Sequence, residues 1–408
     1  MNVTSQVMLI KSCPPASGPL HWAPDWFGGA WVVSAHDDAK WVLSSPQFSA
    51  QRTGGWIKPH ESDGVRSPHE RPRLQRLQRV LSRALIFLDD PDHGRVRQLL
   101  RGHFSPSALA QRTPWLEARC DALLRQAAQT AQAGDGTLEF TQTIARDLPT
   151  EVIAKVLGLD AVAAPRWHAC SQELAQWLEG TRPEVQLSLK AQRAVMSLVR
   201  MVEQGAGDDG VIADLHRASD EGLLVDPLER LAQSCMLLFA GLETTRHFLG
   251  TLVWCLLDTP GAWDALLGLD EAQRRVQVRH WVREVMRLHP PVKYTGRRVA
   301  VTHEWHGQTL RRGQAIVVRL DQAGRDPARF DAPDTLSIHQ HRPASLAFGA
   351  GPHVCIGAAL TLLEAEVCVM RMLQAWPTLC LSSHHTAPQW LHSPLYGGLS
   401  ALHLQLPA

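Results

Sequence analysis

A ten-residue loop near the C-terminus places the strongest constraint on this 408-residue chain. The loop spans residues 348–357 (FGAGPHVCIG) and is followed at once by an apolar, helix-forming run at 358–372. A cysteine just before a helix lies among unpaired backbone N–H groups and at the positive end of the helix dipole, which favours its thiolate. The glycines around Cys355 allow a sharp turn and the close approach of a flat group to the backbone. Cys355 is therefore a candidate metal ligand.

The alternative is that Cys355 is a small apolar core residue, as most lone buried cysteines are. The spacing Phe-Gly-x-Gly-x-His-x-Cys-x-Gly argues against this, because a chance match at six fixed positions is rare at ordinary residue usage. The pattern resembles the haem-binding loop of the cytochrome P450 family at every fixed position. This resemblance implies haem b with the Cys355 thiolate as the axial ligand of iron. It also implies that Phe348, Gly349, His353 and Gly357 contribute to the haem site.

The longest predicted helix opens at Asp226-Pro227-Leu228-Glu229, with an N-cap, a proline at the first position and an acid at the third. It runs to about Leu257, which corresponds to about 46 Å. Inside it, residues 239–245 (FAGLETT) interrupt an apolar run with two small residues, an acid and two hydroxyls. A glycine weakens a helix and a threonine can bond the carbonyl four residues back, so we expect a local groove.

In the cytochrome P450 family an acid-alcohol pair in the central helix activates oxygen, and Glu243-Thr244 resembles that pair. The resemblance implies that the Thr244 hydroxyl hydrogen-bonds dioxygen and that Glu243 relays protons. Ala240 and Gly241 would then line the groove over the haem. The resemblance further implies a mainly α fold with small β-sheets (α+β). This fold is a helix-rich triangular prism with haem between the long central helix and the helix that follows the cysteine loop.

Two further cationic sites are predicted around the haem. His93 and Arg97 are four residues apart in a helix that starts near Asp89, so both side chains project from one face and suit a carboxylate. By itself such a pair is more often a surface pair. The resemblance assigns it to the haem propionates, and it assigns Arg297, rather than Arg298, to the same role.

A second charged motif is predicted to be structural. Glu284-x-x-Arg287 lies in a helix that stops at Pro290, and its spacing allows a charge pair on one face. The motif resembles the family's E-x-x-R, whose partner arginine here is Arg342. The histidine that the family usually carries just before Phe348 is replaced by Ser345, which puts one propionate contact in doubt.

Substrate-pocket candidates follow from the resemblance alone. They are Leu238, Phe239, Ala240, Val292, Lys293, Tyr294, Leu395 and Tyr396. Lys293 is the only charged member, and its cation could meet a substrate carboxylate. The alternative is that its ammonium extends outward to water, which is more common for lysine.

The remaining elements are predicted from periodicity and turn signals. Residues 31–34 read as a strand, 299–317 as a small sheet, 54–84 as an irregular basic segment, and 205–210 as a loop that only mimics a dinucleotide fingerprint. Helices are predicted at 37–43, 115–132, 141–157, 165–179, 185–204 and 281–288. No polar linker divides the chain, so we expect one domain over residues 1–408, with a β-containing part at about 18–55 and a helical bulk.

Composition excludes some partners and compartments. The formal net charge is +1, from 41 basic and 40 acidic side chains, so no overall field attracts nucleic acid or an anionic membrane. The eight cysteines lack C-x-x-C spacing and no apolar run reaches 18 residues, which predicts a soluble, cytoplasmic protein with reduced thiols. We further expect a monomer.

Taken together, these features predict a haem-thiolate monooxygenase that hydroxylates or epoxidises a small, secondary-metabolite or lipid-like substrate with O2. A thiolate ligand favours O–O cleavage. Electrons would come from a separate ferredoxin-type donor that docks near Cys355, where Arg95 and Arg101 lie. Two alternatives stay open: an oxidase that couples, desaturates or cleaves, and a non-enzymatic haem recruitment module. A peroxygenase is disfavoured because Thr244 is present.

Overall fold

The structure is a computed structural model that describes residues 18, 20–53, 70–180, 185–205, 207–338, 342–383 and 388–407. The irregular segment expected at 54–84 is therefore described only from residue 70. Two neighbouring histidines in a polar stretch, His384 and His385, are expected to be solvated, and they lie outside the described residues.

Helices dominate the described part of the chain. They are α1 (His36–Ser44), α2 (Glu70–Leu81), α3 (Asp92–Leu100), α4 (Pro106–Gln132), α5 (Ile144–Leu157), α6 (Ala164–Glu179), α7 (Val185–Gly205), α8 (Gly210–Asp220), α9 (Pro227–Asp258), α10 (Ala262–Leu267), α11 (Glu271–Leu288), α12 (Leu320–Ala323) and α13 (Ala358–Ala375). Short 3₁₀ turns occur at Leu85–Phe87, Arg101–Phe104, Ala161–Ala163 and Gly351–His353.

The strands are short. They are β1 (Leu20–Ala23), β2 (Ala30–Val33), β3 (Phe48–Ser49), β4 (Thr137–Glu139), β5 (Tyr294–Val299), β6 (His303–Trp305), β7 (Gln308–Leu310), β8 (Ala315–Arg319), β9 (Cys380–Leu381), β10 (Gln389–Trp390), β11 (Leu399–Ala401) and β12 (His403–Gln405).

The largest sheet joins residues 20–49, near the N-terminus, to residues 294–319. Its strand order is β1-β2-β8-β5-β3, with β2 and β8 parallel and the other neighbours antiparallel. Its register pairs Trp31 with Ile316 and Ile316 with Arg297. This pairing supports the single domain over residues 1–408, which stays a prediction. The helix-rich architecture with small sheets confirms the predicted fold class.

Helix α9 is the centre of the molecule. Its predicted start is confirmed: the Asp226 side chain accepts a hydrogen bond from the Leu228 N–H at 2.9 Å, and Pro227 begins the helix. Its 32 residues span about 48 Å. It packs most extensively on α5, and α6, α7, α8, α11 and α13 also contact it. None of the described helices is long and apolar enough to cross a membrane.

Three helices differ from their predicted bounds. Helix α2 lies within the segment predicted to be irregular, and Leu74, Leu77 and Leu81 bury one of its faces. Helix α4 begins at Pro106, nine residues before the predicted start, where the Ser105 hydroxyl accepts from the Ala108 N–H at 3.3 Å. Helix α11 begins ten residues early, at Glu271. The many Arg and Gln residues of α2 obscured the helical spacing of its apolar residues. The first residues of α4 and α11, by contrast, follow ordinary N-cap residues.

Candidate active site

A cavity of about 380 Å³ lies between the Cys355 loop and the middle of helix α9. Many of the predicted site residues line it. They are His93, Arg97, Phe239, Ala240, Thr244, Val292, Tyr294, Arg297, Phe348, Gly349, His353, Cys355, Leu395 and Tyr396. Five segments that are distant in sequence therefore meet at one cavity.

The cysteine loop is held in a shape that depends on glycine. Gly349 and Gly351 have φ values of 75° and 69°, in the left-handed region that glycine adopts without strain. A Cβ on Gly351 would lie 2.7 Å from Ser44 Cα, so the loop packs directly on the end of α1. The Cys355 N–H donates to the Phe348 carbonyl at 2.9 Å and closes the loop. These contacts present the Cys355 sulfur to the cavity.

Opposing effects act on the Cys355 thiol. The side chain is accessible, but the space it reaches is the cavity inside the protein. Burial raises the pKa of the thiol, and it outweighs the backbone N–H groups of Gly357 and Ala358 and the charge of Arg97, which lower it. The N–H groups at the start of α13 therefore lower the pKa of the thiol, as predicted from the sequence. Burial raises it by more, so without a bound metal the pKa of Cys355 lies above its ordinary value. A metal ion that binds the sulfur would displace the thiol proton.

Basic side chains, two of them arginines, form one edge of the cavity, here called the cationic edge. His93 and Arg97 come from α3, Arg297 from β5 and His353 from the cysteine loop, and the ring centroids of the two histidines lie 4.0 Å apart. Burial, together with the charge of Arg297 and its cationic neighbours, lowers the pKa of His353 to about 3. Burial likewise lowers the pKa of Arg297 to about 10. Arg298 also lines the cavity, but its guanidinium donates to the Gly313 carbonyl near the surface.

Arg52 is a member of this cationic edge that the sequence analysis did not find. It lines the cavity, and its guanidinium carbon lies 4.6 Å from the centroid of the Phe87 ring. Burial and the nearby charge of Arg297 lower its pKa to about 9. Residue 52 follows a two-residue strand and no motif marks it, so only the tertiary structure could reveal its position.

The cavity fits a flat, largely apolar group that carries carboxylates at one edge. Burying several like charges together is unfavourable unless anions accompany them. Among the described residues, no carboxylate lies within ion-pair distance of Arg97 or Arg297, and His93 Nε2 is buried without a hydrogen bond. A porphyrin with two propionates matches this edge, and the Cys355 sulfur could bind its metal.

The opposite wall is formed by helix α9. Ala240 is accessible at the cavity surface, and the Thr244 hydroxyl donates to the Ala240 carbonyl at 2.8 Å. The sequence predicted this bond from Thr244 to the carbonyl four residues back. It leaves the Thr244 hydroxyl oxygen at the cavity wall that α9 forms.

Glu243 points away from the cavity, towards α6. Its carboxylate is 4% exposed, with Oε2 3.6 Å from His247 Nε2 and 3.8 Å from Arg246 Nη1. Burial raises the pKa of Glu243, against the smaller opposing effects of Arg246 and Ser171. The acid and the alcohol are therefore neighbours in sequence that face different sides of the helix.

Comparison with known proteins decides the family. A family model described as Cytochrome P450 matches residues 213–388. The vitamin D3 dihydroxylase of Streptomyces griseolus is 30% identical over 373 residues, which cover 90% of this chain and 85% of the relative. The chain belongs to the cytochrome P450 family. Cytochrome P450 107B1 of Saccharopolyspora erythraea is 28% identical over 91% of this chain and 88% of its own.

The solved structures agree with this assignment. The crystal structure of CalO2 matches this P450 with a TM-score of 0.81 at 26% identity, over 96% of this chain and 93% of the other. As a member of this family, the present protein has haem with a thiolate ligand as its cofactor, as predicted. It is an oxidoreductase of the monooxygenase type. The residues at the cavity edge fit that group.

Two residues predicted for the site of this P450, Leu238 and Gly241, do not line the cavity. Leu238 is fully buried in the core, and Leu237 lines the cavity instead, because positions 237, 240 and 244 share one helical face. Gly241 faces α5, where a Cβ would lie 2.8 Å from Ile153 Cγ1, so the glycine serves helix packing. Gly357 does not line the cavity, but its N–H hydrogen-bonds the Cys355 sulfur, so its predicted part in the haem site stays a prediction.

Lys293 does not reach the cavity of this P450 either. Its ammonium donates to the Ser393 carbonyl at 2.6 Å, and its backbone N–H donates to the Leu395 carbonyl at 2.8 Å. These bonds turn the side chain along the C-terminal loop, outside the cavity lining. The structure therefore gives no support to the hypothesis that Lys293 binds a substrate carboxylate.

The E-x-x-R pair forms a buried network. Glu284 and Arg287 are joined by two hydrogen bonds of 2.7 and 2.9 Å, and Arg287 also donates to the Gly324 and Pro333 carbonyls. Arg342 Nε lies 3.1 Å from Glu284 Oε1, so the arginine reaches the pair despite the short interval to the cysteine loop. The network connects α11 to the segment that leads into that loop.

Arg95 is not a free surface cation. Its guanidinium donates two hydrogen bonds, of 2.7 and 2.9 Å, to the fully buried carboxylate of Glu229. It donates another hydrogen bond, of 3.0 Å, to Asp92. The pair connects α3 to the start of α9. Arg95 therefore has a structural ion pair, whereas Arg101 is exposed, and docking of an electron donor near either residue stays a prediction.

Replacing Arg95 with glutamate is expected to lower the free energy of unfolding by about 3 kcal/mol, because it leaves the buried Glu229 carboxylate without its partner. Urea unfolding of the haem-loaded protein measures the change. Arg101→Glu is the matched control, with a change below about 0.5 kcal/mol. Equal unfolding free energies for the two variants would show that the Arg95–Glu229 pair does not stabilise this junction.

Proposed function

We propose that Cys355 is the axial thiolate ligand and that this P450 hydroxylates or epoxidises a small organic substrate with O2 and electrons from a ferredoxin-type donor. One observation carries the proposal: the Cys355 sulfur and the Thr244 hydroxyl lie on opposite walls of one cavity. Bound haem would supply the iron that activates dioxygen. The test is a spectrum of the reduced, haem-loaded protein with carbon monoxide, which should show the red-shifted Soret band that gives the family its name.

Different side chains would contact the propionates, the ring and the sulfur ligand of the haem. His93, Arg97, Arg297 and His353 would hold the propionates at the cationic edge. Phe348 and Gly349 would pack beside the ring, and the Gly357 N–H would hold charge on the sulfur. The Glu284–Arg287–Arg342 network would keep the loop in position.

Glu243 and Thr244 would manage protons on the opposite side. The Thr244 hydroxyl can exchange its bond to the Ala240 carbonyl for a donor contact into the cavity. Glu243, whose pKa is raised by burial, can carry a proton on its carboxyl at a higher pH than an exposed glutamate does. Groups that hold protons in this way typically contribute about 10²–10⁴-fold to a rate.

Replacing Thr244 with alanine is expected to reduce product formed per NADH consumed by on the order of tenfold or more, because the hydroxyl at the cavity wall is lost. Hydrogen peroxide should account for the missing electrons. Thr244→Ser keeps the hydroxyl and should retain most of the coupling. If Thr244→Ala and Thr244→Ser are equally coupled, the hydroxyl has no part in proton management.

The cavity lining supports an apolar substrate. Phe87, Trp177, Met236, Leu237 and Phe239 line it together. Gln233 also lines it, but its amide already bonds the backbone at residues 83 and 85. Relatives include the vitamin D3 dihydroxylase and a nocardicin C N-oxygenase of Nocardia uniformis. We therefore propose a lipid-like or secondary-metabolite substrate. A compound library screened for the low-spin to high-spin shift of the haem spectrum tests this, and only apolar compounds should respond.

The electron donor would dock near Arg101, which is exposed at the end of α3, the helix that carries Arg97. A monomeric, cytoplasmic protein stays our prediction. All seven cysteines in the described part of the chain are unpaired, which supports a reducing compartment.

A further inference from the structure

A second group of buried polar side chains lies at the junction of α5, α6 and α9, outside the cavity lining. Glu243 and His247 come from α9, and His168 and Ser171 from α6. Each has one buried atom that forms no hydrogen bond of normal geometry with any described residue. These atoms are Glu243 Oε1, His247 Nδ1, His168 Nδ1 and Ser171 Oγ.

The tautomer of His168 follows from its contacts. The Thr150 hydroxyl lies 2.6 Å from the Arg146 carbonyl and 2.8 Å from His168 Nε2. A carbonyl only accepts, so the single hydroxyl proton of Thr150 is used there, and Thr150 must accept from His168 Nε2–H. His168 Nδ1 is then a bare acceptor. Burial and the charges of Arg146 and Arg246 lower the pKa of His168 to about 4, so the ring is neutral at physiological pH.

Ser171 links His168 to Glu243. His168 and Ser171 are three residues apart in α6 and share one face of that helix. Ser171 is fully buried, and its hydroxyl faces the Glu243 carboxylate and lowers the pKa of that group. The three side chains therefore form a row that leads from the side of α9 opposite the cavity towards α5.

The two ends of the row differ in burial, and the Glu243 end is the buried one. Arg246 lies 3.8 Å from the carboxylate and is anchored by its Nε to the Thr141 carbonyl at 3.1 Å. The negative charge of Glu243 also raises the pKa of Glu179 and of Tyr396. At the other end, His168 lies beside the ion pair of Arg146 and Asp147, whose side chains are 37% and 35% exposed. The row therefore runs from a buried acid to a partly exposed pair.

Buried polar atoms that lack protein partners are normally satisfied by internal water, and each such water makes two to four hydrogen bonds. Four such atoms at one junction provide enough partners for a short chain of waters. We propose that Ser171 and His168 hold a water-filled route that supplies protons from the surface at Arg146 and Asp147 to Glu243. The proposal rests on the proposed role of Glu243, and it makes Ser171 and His168 positioning residues.

The proton steps balance without any further reactant. The Ser171 hydroxyl accepts a proton from one water and donates its own towards Glu243 Oε1. Each water in the row does the same, so no net charge remains on the route. The route ends at the Glu243 carboxyl, which receives the proton.

The test compares Ser171→Val with Ser171→Thr in the haem-loaded protein. The two variants add the same bulk and differ only in a methyl for a hydroxyl. The readout is the infrared C=O band of the Glu243 carboxyl, identified by its absence in Glu243→Gln and recorded at a pH low enough to protonate the group. Transfer to D2O shifts the band at the rate at which the carboxyl proton exchanges. Neither readout nor variants depend on a known substrate.

We expect exchange to be at least about tenfold slower in Ser171→Val than in the wild type, with Ser171→Thr close to the wild type. A crystal structure of the wild-type protein should also show ordered water on Glu243 Oε1 and Ser171 Oγ. Equal exchange rates in the two variants, or a dry junction, would overturn the route. Failure of the proposed function is distinct, since it would appear as loss of the carbon monoxide band in the wild-type protein.

Discussion

Replacing Cys355 with serine abolishes the red-shifted Soret band of the reduced carbon monoxide complex and takes monooxygenase activity below detection. The Cys355 sulfur is presented to the cavity by a loop closed by the bond from its own N–H to the Phe348 carbonyl. Serine preserves the size and the backbone bond but removes the thiolate, whose electron donation favours O–O cleavage. Spectra of the purified, haem-supplied variant measure the first effect.

The matched control is Cys380→Ser, because Cys380 is exposed and distant from the cavity lining. It should retain both the band and the activity. A Cys355→Ser protein that binds haem and keeps the red-shifted band would show that another residue is the ligand. The assignment of the cavity as the haem site would then fail with it.

Replacing Arg287 with alanine is expected to destabilise the protein by about 3–5 kcal/mol, which is the usual cost of removing one partner of a buried ion pair. Arg287 is 2% exposed, and its loss removes two hydrogen bonds from the Glu284 carboxylate, which keeps only Arg342 and the Ser337 N–H. The Gly324 and Pro333 carbonyls also lose their bonds to Arg287. Few domains have more than 5–15 kcal/mol of stability, so a large fraction would be lost. Urea unfolding of the haem-loaded variant measures the change.

Two variants provide the controls for this prediction. Arg287→Lys keeps the charge but cannot reproduce the two parallel bonds to Glu284, so it should recover only part of the stability. Arg217→Ala removes an exposed ion pair with Asp214 and should change stability by less than about 1 kcal/mol. An Arg287→Ala effect as small as that of Arg217→Ala would rule out a structural role for the network.

Local sequence signals predicted the central helix closely. Asp226 and Pro227 form a start signal that depends only on neighbouring residues, and helix α9 begins at Pro227 and ends at Asp258, one residue beyond the predicted end. Left-handed glycines in the cysteine loop are a local requirement too. Helix α2 was missed because its Arg and Gln residues conceal an apolar face of Leu74, Leu77 and Leu81.

Side-chain roles that depend on distant partners were predicted less well. Arg95 looked like a surface cation until α9 placed Glu229 against it, 134 residues away in sequence. Lys293 looked like a pocket residue until the C-terminal loop placed the Ser393 carbonyl within 2.6 Å of its ammonium. Gly241 looked like part of the haem groove, but its neighbour is Ile153.

The sequence alone therefore determined the family, the cofactor and the cysteine loop, because these depend on residue types at short, fixed spacings. It also determined the central helix, whose cap and apolar run are local. Only the tertiary structure decided that Leu237 rather than Leu238 lines the cavity, that Arg52 joins the cationic edge, and that Ser171 faces Glu243. The reason is physical: the direction of a side chain is set locally, but the partner it meets is set by the packing of elements far apart in the chain.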